Sequence, residues 1–349
     1  MAMWLLSRRE LQFRSRRALV AVLVSALVFG IAVAAEGIKR TLSNEPSEFV
    51  DSFRADGWVV RKDASPFTTI ALLPDSLADD LAGTPGVTSV HPVVTGRATI
   101  LSGKRDNANL IGYDLSKATG PQLTGGRAPV TDREVAVSGG TSAGIGDKLV
   151  TTAGTFEVVG TLDGMRYNAS APTILMTFAG AQRAVLGGQP YAMGFAVTGA
   201  PESLPKGTQF SSNAEAAADL GLTIKSATST INFIVLLTWL VAAGVIGAIV
   251  YLAALEQNRN FAILRATGST GGLIVGSLLV QSIAIAVAAA VLSVPLALVL
   301  RMGMPMPSTL TFAAFVRILV VGLVIGGVAS IAAVRRALRV SPAEAFGGA

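Results

Sequence analysis

The sequence predicts a membrane protein: four transmembrane α-helices, one plus three, with a large α+β extracytoplasmic domain inserted between helices 1 and 2. Three observations predict it. Apolar residues gather in four long runs toward the two ends of the 349-residue chain, with a polar stretch punctuated by glycine and proline between them. That stretch, about 190 residues, is long enough to build its own core. Only 14% of residues are charged and 51% are hydrophobic, where a soluble domain carries about a quarter charged residues. Many of the arginines flank the apolar runs.

The first span is expected at 18–36, on the uncharged run Ala18–Ala35; a crossing takes about 20 apolar residues. The second, at 231–255, is interrupted only by Asn232, Thr238 and Trp239. The third, at 271–301, holds Gln281 and has Pro295 near its end, and the fourth, at 310–334, contains Arg317. An arginine at the bilayer centre costs about 2.5–3.5 kcal/mol. Arg317 lies near the start of its run and is expected to snorkel to an interface. Residues 1–17 are expected to form a cytoplasmic amphipathic helix, with Trp4, Leu5, Leu6, Leu11 and Phe13 on its interfacial side. The same head, its apolar run and Ala32-Val33-Ala34 also fit a cleavable signal peptide. The long head and its interfacial residues favour a retained span.

Orientation follows from the arginines. Arg8, Arg9, Arg14, Arg16 and Arg17 precede the first span; Arg259 and Arg265 separate the second and third; Arg335, Arg336 and Arg339 follow the fourth. The positive-inside rule puts both termini and the segment 256–270 in the cytoplasm. The domain at 37–211, a stalk at 212–230 and the loop 302–309 are then outside, and 335–349 is a cytoplasmic tail.

Within the outer domain, Trp58–Arg61 and Phe67–Leu73 read as strands, Asp75–Leu81 as a short helix, and Gly83-Thr84-Pro85-Gly86 as a turn. Val87–Ile100 returns as strand and completes a β-α-β unit. Glu134–Val137, Lys148–Thr152 and Phe156–Val159 are further short strands. Thr177–Leu186 reads as helix, Tyr191–Val197 as strand, and Ser212–Ile224 as a helix broken at Gly221.

Catalytic chemistry finds little support. The absence of cysteine excludes disulfides, iron–sulfur clusters and thiolate zinc sites. The single histidine, His91, precedes Pro92 and is expected to end a strand or turn. Gly139–Lys148 is glycine-rich, but Asp147 stands before the lysine and Leu149 after it, so the P-loop order is missing and turn chemistry is expected. No Walker motif occurs elsewhere. Asn168-Ala169-Ser170 matches a sequon by chance, and Asp79, Asp80 and Asp114 read as surface carboxylates. A net charge of +6 could suggest nucleic acid, but the arginines beside apolar runs argue against it. A membrane-tethered hydrolase lacks a convergent nucleophile and base.

Packing and partner signals are stronger. Gly322 and Gly326, with Ser330 one turn on, give the fourth span a small-residue face, and Gly244 with Ala248 does so on the second. In the cytoplasmic segment, Phe261, Leu264 and Arg265 share a helical face, and Glu256 can pair with Arg259. Gly268 suits the stop. A short, part-apolar helix between two spans fits either a protein partner or a place on lipid headgroups.

Glu256–Gly268, reading EQNRNFAILRATG, resembles the E-R-x-R-E-F/I-A/G-I/V-L-R/K-A-I/L-G signature of the FtsX/MacB-like ABC transporter permeases. Asn258, Asn260 and Thr267 depart from it. The tail Ala332–Phe346 is similar to that family's A-x-x-R-A-x-R-x-x-P-x-E-A-L ending, and Ser341 and Glu344 form a capping box around Pro342. Pro85-Gly86-Val87 through Val90-His91-Pro92-Val93, Gly126-Arg127-Ala128-Pro129 to Glu134-Val135, Gly146-Asp147, and Val158-Val159-Gly160 resemble its outer-domain motifs. The resemblance implies a non-catalytic, multi-pass subunit of the bacterial inner membrane with both termini cytoplasmic. It implies a homodimer working with two copies of a separate ABC ATPase, which would bind ATP and Mg; no cofactor is expected in this chain. It assigns Glu256, Arg259, Phe261, Ala262, Ile263, Leu264, Arg265 and Gly268 to a coupling helix that receives ATP-driven motion, passed outward as mechanotransmission. An extracytoplasmic lipoprotein, peptide or wall enzyme would be the partner outside, for export, extraction or activation. The alternative is a membrane-anchored regulator of cell-wall enzymes without transport activity.

Overall fold

The computed structural model describes residues 15–103, 105–114, 120–168, 170–256, 271–303 and 311–337. The chain divides into two compact units, Leu42–Thr228 and the pairing of Met1–Thr41 with Ser229–Ala349. Two helices contribute to both units: α1 (Ser15–Asp51) and α4 (Asn213–Glu256).

The unit 42–228 contains β1 (Gly57–Arg61), β2 (Leu73–Pro74), α2 (Leu77–Ala82), β3 (Val87–Ile100), β4 (Asp106–Gly112), β5 (Leu123–Gly126) and β6 (Glu134–Ser138). It continues with β7 (Lys148–Thr151), β8 (Gly154–Leu162), β9 (Arg166–Tyr167), β10 (Ala171–Met176), α3 (Phe178–Leu186), β11 (Tyr191–Ala192), β12 (Gly194–Gly199) and β13 (Thr208–Ser212). Among the described residues, 11 strands form one sheet in the order β13-β1-β12-β3-β4-β10-β6-β8-β5. β7 joins it through β3 and β8, and β9 through β10.

Side chains alternate between the two faces of a strand, and here each face has its own core. Trp58, Val60, Val93, Ile111, Ala136, Leu175 and Ala196 share one cluster with Phe49 of α1, Phe53 just beyond its end, and Ala216, Ala217 and Leu220 of α4. Their neighbours in sequence face the other way. Val94, Leu110, Val135, Val137, Ile174 and Met176 pack with Ala181 and Val185 of α3. Val59, Phe195 and Val197 pack with Leu81 of α2. The C-terminal end of α1 and the N-terminal end of α4 therefore cover one face, and α2 and α3 cover the other.

The long strand β3 holds the halves together. It pairs antiparallel with β12 from Val87 to Val93 and with β4 from Val94 to Ile100. Since β12 also lies antiparallel to β1, the β-α-β unit is split, with β12 between its two parallel strands. Where β3 begins, two backbone segments cross closely. A Cβ on Gly86 (φ +86°) would lie 2.1 Å from the Ala200 carbonyl oxygen, and one on Gly199 (φ +94°) would lie 2.1 Å from that of Gly86. Only glycine fits such an approach at positive φ.

Four expectations need correction. His91 does not end a strand. It lies inside β3 opposite Ala196, is buried, and stacks on Tyr113 with centroids 5.2 Å apart. Among the described residues, β3 pairs over this stretch only with β12, and proline after His91 is tolerated in a strand with one open side. Phe67–Leu73 is not a strand apart from Leu73. Phe67 turns into the aromatic core, 4.7 Å from Trp58, while Ile70 is exposed. α4 runs through Gly221 without a break; the glycine costs a helix about 1 kcal/mol, less than its packed flanks contribute. Lastly, α1 continues as helix to Asp51 through Glu36, Lys39, Arg40 and Pro46.

The second unit combines residues 15–41 of α1, residues 229–256 of α4, α5 (Gly271–Gly303) and α6 (Phe312–Ala337). Its interior is made of small side chains: Ala26, Ala32, Ala242, Ala289, Ala290 and Ala297 surround Phe29 and Val33. A Cβ on Gly30 would lie 3.2 Å from Leu296 Cδ2. Outward, Leu19, Val20, Leu236, Leu237, Leu240, Val291, Val299 and Val328 are exposed, an apolar surface suited to lipid. Among the described residues, Val22–Asp51, Asn213–Ala242 and Ile283–Gly303 are long and apolar enough to cross a membrane; Phe312–Val324 is a shorter apolar stretch.

Candidate functional site

The expected coupling segment lies outside the described residues, apart from the backbone of Glu256 at the end of α4. This applies to Arg259, Phe261, Ala262, Ile263, Leu264, Arg265 and Gly268. Of the packing residues, Gly322 is buried in α6. A Cβ there would lie 2.9 Å from Phe29 Cζ and 3.7 Å from Ala286 Cβ, so its absence makes room for the Phe29 ring. Gly244 is exposed on α4, and a Cβ there meets nothing within 4 Å. Gly326 and Ser330 lie farther along α6.

Arg317 has a partner that its position in the sequence did not reveal. Its Nη1 donates to Glu36 Oε1 at 2.7 Å, joining α6 to α1. Opposite charges at the ends of two apolar runs satisfy each other where lone charges would be costly. The guanidinium remains half-exposed.

The C-terminal end of α1 and the N-terminal end of α4 form the most elaborate site. Leu42, Glu45, Phe49 and Phe53 follow helical spacing, and all four are buried. Phe53 lies 5.1 Å from Trp58 and 5.4 Å from Tyr113, and Phe49 lies 4.3 Å from Tyr167. The two Phe53 pairs are edge-on, a geometry that adds about 0.5–1.5 kcal/mol to burial. α4 starts with a capping box: Ser212 N–H donates to Glu215 Oε2 at 2.9 Å, and Glu215 N–H to Ser212 Oγ at 3.3 Å. Its first residue, Asn213, accepts from Trp58 Nε1 at 3.0 Å and donates to the Ala55 carbonyl at 2.7 Å. One side chain thus ties the start of α4 to the segment that leaves α1.

Glu45 is the buried charge of this site. Its Oε2 accepts from Ser170 N–H at 3.1 Å and its Oε1 from the Ser170 hydroxyl. Ser170 lies in the turn between β9 and β10. Asn109 of β4 fastens the base of that hairpin, donating to the carbonyls of Tyr167 and Ala171 at 3.1 and 3.2 Å. Sequence reasoning missed Glu45, Asn109 and Asn213. The signal for Glu45 was present, since Leu42, Phe49 and Phe53 continue a helical stripe beyond the charges at 36–40.

Two glycine-rich motifs prove architectural. Arg127 and Glu134 form a two-bonded ion pair at 2.6 and 2.9 Å, and Glu134 Oε2 also accepts from the amides of Val130 and Thr131. The Arg127 hydrogen bonds, then those amides, hold the Glu134 carboxyl down at about 2. In the loop after β6, Asp147 Oδ2 accepts from Gly144 N–H at 2.8 Å, so the turn closes on its own carboxylate.

Residues 232–342 match the model of the FtsX-like permease C-terminal family. Uncharacterized ABC transporter permeases of Mycobacterium bovis and Mycobacterium tuberculosis are 34% identical over 342 residues, covering 97% of this chain and 98% of theirs. A second permease of M. tuberculosis is 32% identical over the same length. Among solved structures, the periplasmic region of MacB from Actinobacillus actinomycetemcomitans aligns with a TM-score of 0.33 and 14% identity, covering 52% of this chain and 87% of that one. The extracellular domain of the transporter YknZ aligns at 0.31 and 16%, covering 43% and 84%. Overlays this weak carry no argument; the full-length identity does. This membrane chain belongs to the FtsX-like family of ABC transporter permeases.

Proposed function

We propose that the chain is the membrane subunit that carries ATP-driven motion from a separate ATPase to its domain at 42–228, for export, extraction or activation of a substrate outside. The observation that supports this reading is that α1 and α4 each begin in one unit and end in the other. In the outer unit both finish as anchored parts of an aromatic core rather than as free linkers. Rigid elements of this kind are a known way to couple distant sites. The proposal includes four spans, both termini cytoplasmic, a homodimer, and two ATPase copies that bind ATP and Mg. The ATPase would engage Phe261 and Leu264 in the segment 256–268.

The test is an affinity pull-down of detergent-solubilised protein from its native membrane. Recovery of a Walker-motif ATPase, lost on Leu264→Asp while the protein still inserts, supports the proposal. Recovery of no ATPase, under conditions that preserve other complexes, favours a solitary regulator of cell-wall enzymes.

A further inference from the structure

A buried carboxylate is costly unless each oxygen finds a donor. Glu45 is 4% exposed, and its hydrogen-bond donors come from one residue, Ser170, through both its amide and its hydroxyl. Arg166, at the base of the same hairpin, adds electrostatic attraction. The turn that receives this contact is held in an unfavourable shape. Ser170 has a φ of +62°, where a serine side chain is strained, and Asn168 has +61°, which asparagine tolerates. One turn along α1 from Glu45, Phe49 packs against Tyr167 on the same hairpin. A stretch of α1 thus grips one hairpin with a charge and a ring.

The hairpin is not peripheral to the sheet. Its second strand, β10, pairs parallel with β4 and antiparallel with β6, in the middle of the sheet order. Asn109 spans from β4 to both sides of the turn. Displacement of α1 along its axis would load the turn through Glu45 and reach the sheet through β10.

We infer that Glu45 is the positioning residue through which α1 moves the β9–β10 hairpin, with Ser170 as its receptor. The inference rests on the proposed function, since it names the contact that takes the motion into the outer unit. Phe49 and Tyr167 keep the helix seated, while the Glu45–Ser170 contact gives the seat its direction and its strained turn.

The test is hydrogen exchange of the amides in 163–176, measured on the full chain with its co-purified ATPase in lipid nanodiscs, with and without a non-hydrolysable ATP analogue. In the wild type, nucleotide changes exchange in the hairpin by about threefold or more, as expected when a local opening equilibrium is biased. Glu45→Ala abolishes that response, and Ser170→Ala, which loses the hydroxyl but keeps the amide donor, reduces it, while exchange in β3 stays at the wild-type rate, which shows the fold intact. Glu45→Gln, which still offers an acceptor to the Ser170 amide, retains it. A nucleotide response in Glu45→Ala equal to the wild type overturns the inference and leaves the proposed function standing. So does a wild-type complex whose hairpin ignores nucleotide, whereas a chain that brings down no ATPase overturns both.

Discussion

The two halves of α1 are packed by opposite rules. Along 15–41 its contacts are made by small residues: Ala26, Gly30 and Ala32 lie against alanines and a leucine of the other apolar helices, with Phe29 as the one large knob. Along 42–51, and at Phe53 just beyond, the contacts are large and interlocked: Leu42, Phe49, Val50 and Phe53, with Glu45 bonded to Ser170. In lipid, water gives helices little reason to associate, so close approach of backbones does the work. In water, burying aromatic surface is worth far more. One helix therefore packs through small residues along one half and through large, interlocked ones along the other.

That contrast can be broken from the interlocked side first. Phe53→Ala should destabilise the protein by about 3–5 kcal/mol, because the ring touches Phe49, Trp58, Phe67 and Tyr113. Chemical unfolding of the full chain in detergent, followed by Trp fluorescence, would show it; a loss below about 1 kcal/mol would mean the interlock is loose. On the small-residue side, Gly322→Leu should cost about 1–3 kcal/mol by overpacking against Phe29. The same unfolding curve reads it, and an unaltered midpoint would remove that close approach from the account.

The smallest effect concerns acid. Glu134 titrates at about 2 when folded, against an ordinary value of 4.5. Its contribution is thus present above about pH 4.5 and lost as the pH falls toward 2. Glu134→Gln should flatten that part of the stability profile without touching α1. A variant that loses stability over this range as steeply as the wild type would show that the ion pair with Arg127 contributes nothing.

The sequence was legible where local chemistry decides structure. The helix at 178–186 follows from Thr177, whose hydroxyl accepts from the Gly180 amide, and β3 from its long β-rich run. It was less legible where distant partners override local signals. The span expected at 18–36 is only part of α1, since buried contacts from Leu42 to Val50 keep the helix going to Asp51. Gly221 reads as a break, but no local alternative competes with a helix packed at Ala216, Ala217 and Leu220. Phe67 reads as strand because it is aromatic, and its aromatic partners at 49, 53 and 58 draw it into the core instead. Glu45 stayed hidden because its partner lies 125 residues away.

The central claim is that α1 moves against the other apolar helices while its outer end carries the domain with it. The chain has no cysteine, so a pair can be introduced cleanly. A Cβ at Gly30 would lie 3.5 Å from that of Leu296, within the span of about 3.5–4.5 Å that a disulfide bridges. In the Gly30→Cys, Leu296→Cys protein, bound to its ATPase in nanodiscs, oxidation should abolish the nucleotide-dependent change in hairpin exchange at 163–176. Reductant should restore it. An undiminished response with the cross-link fully formed would contradict the account.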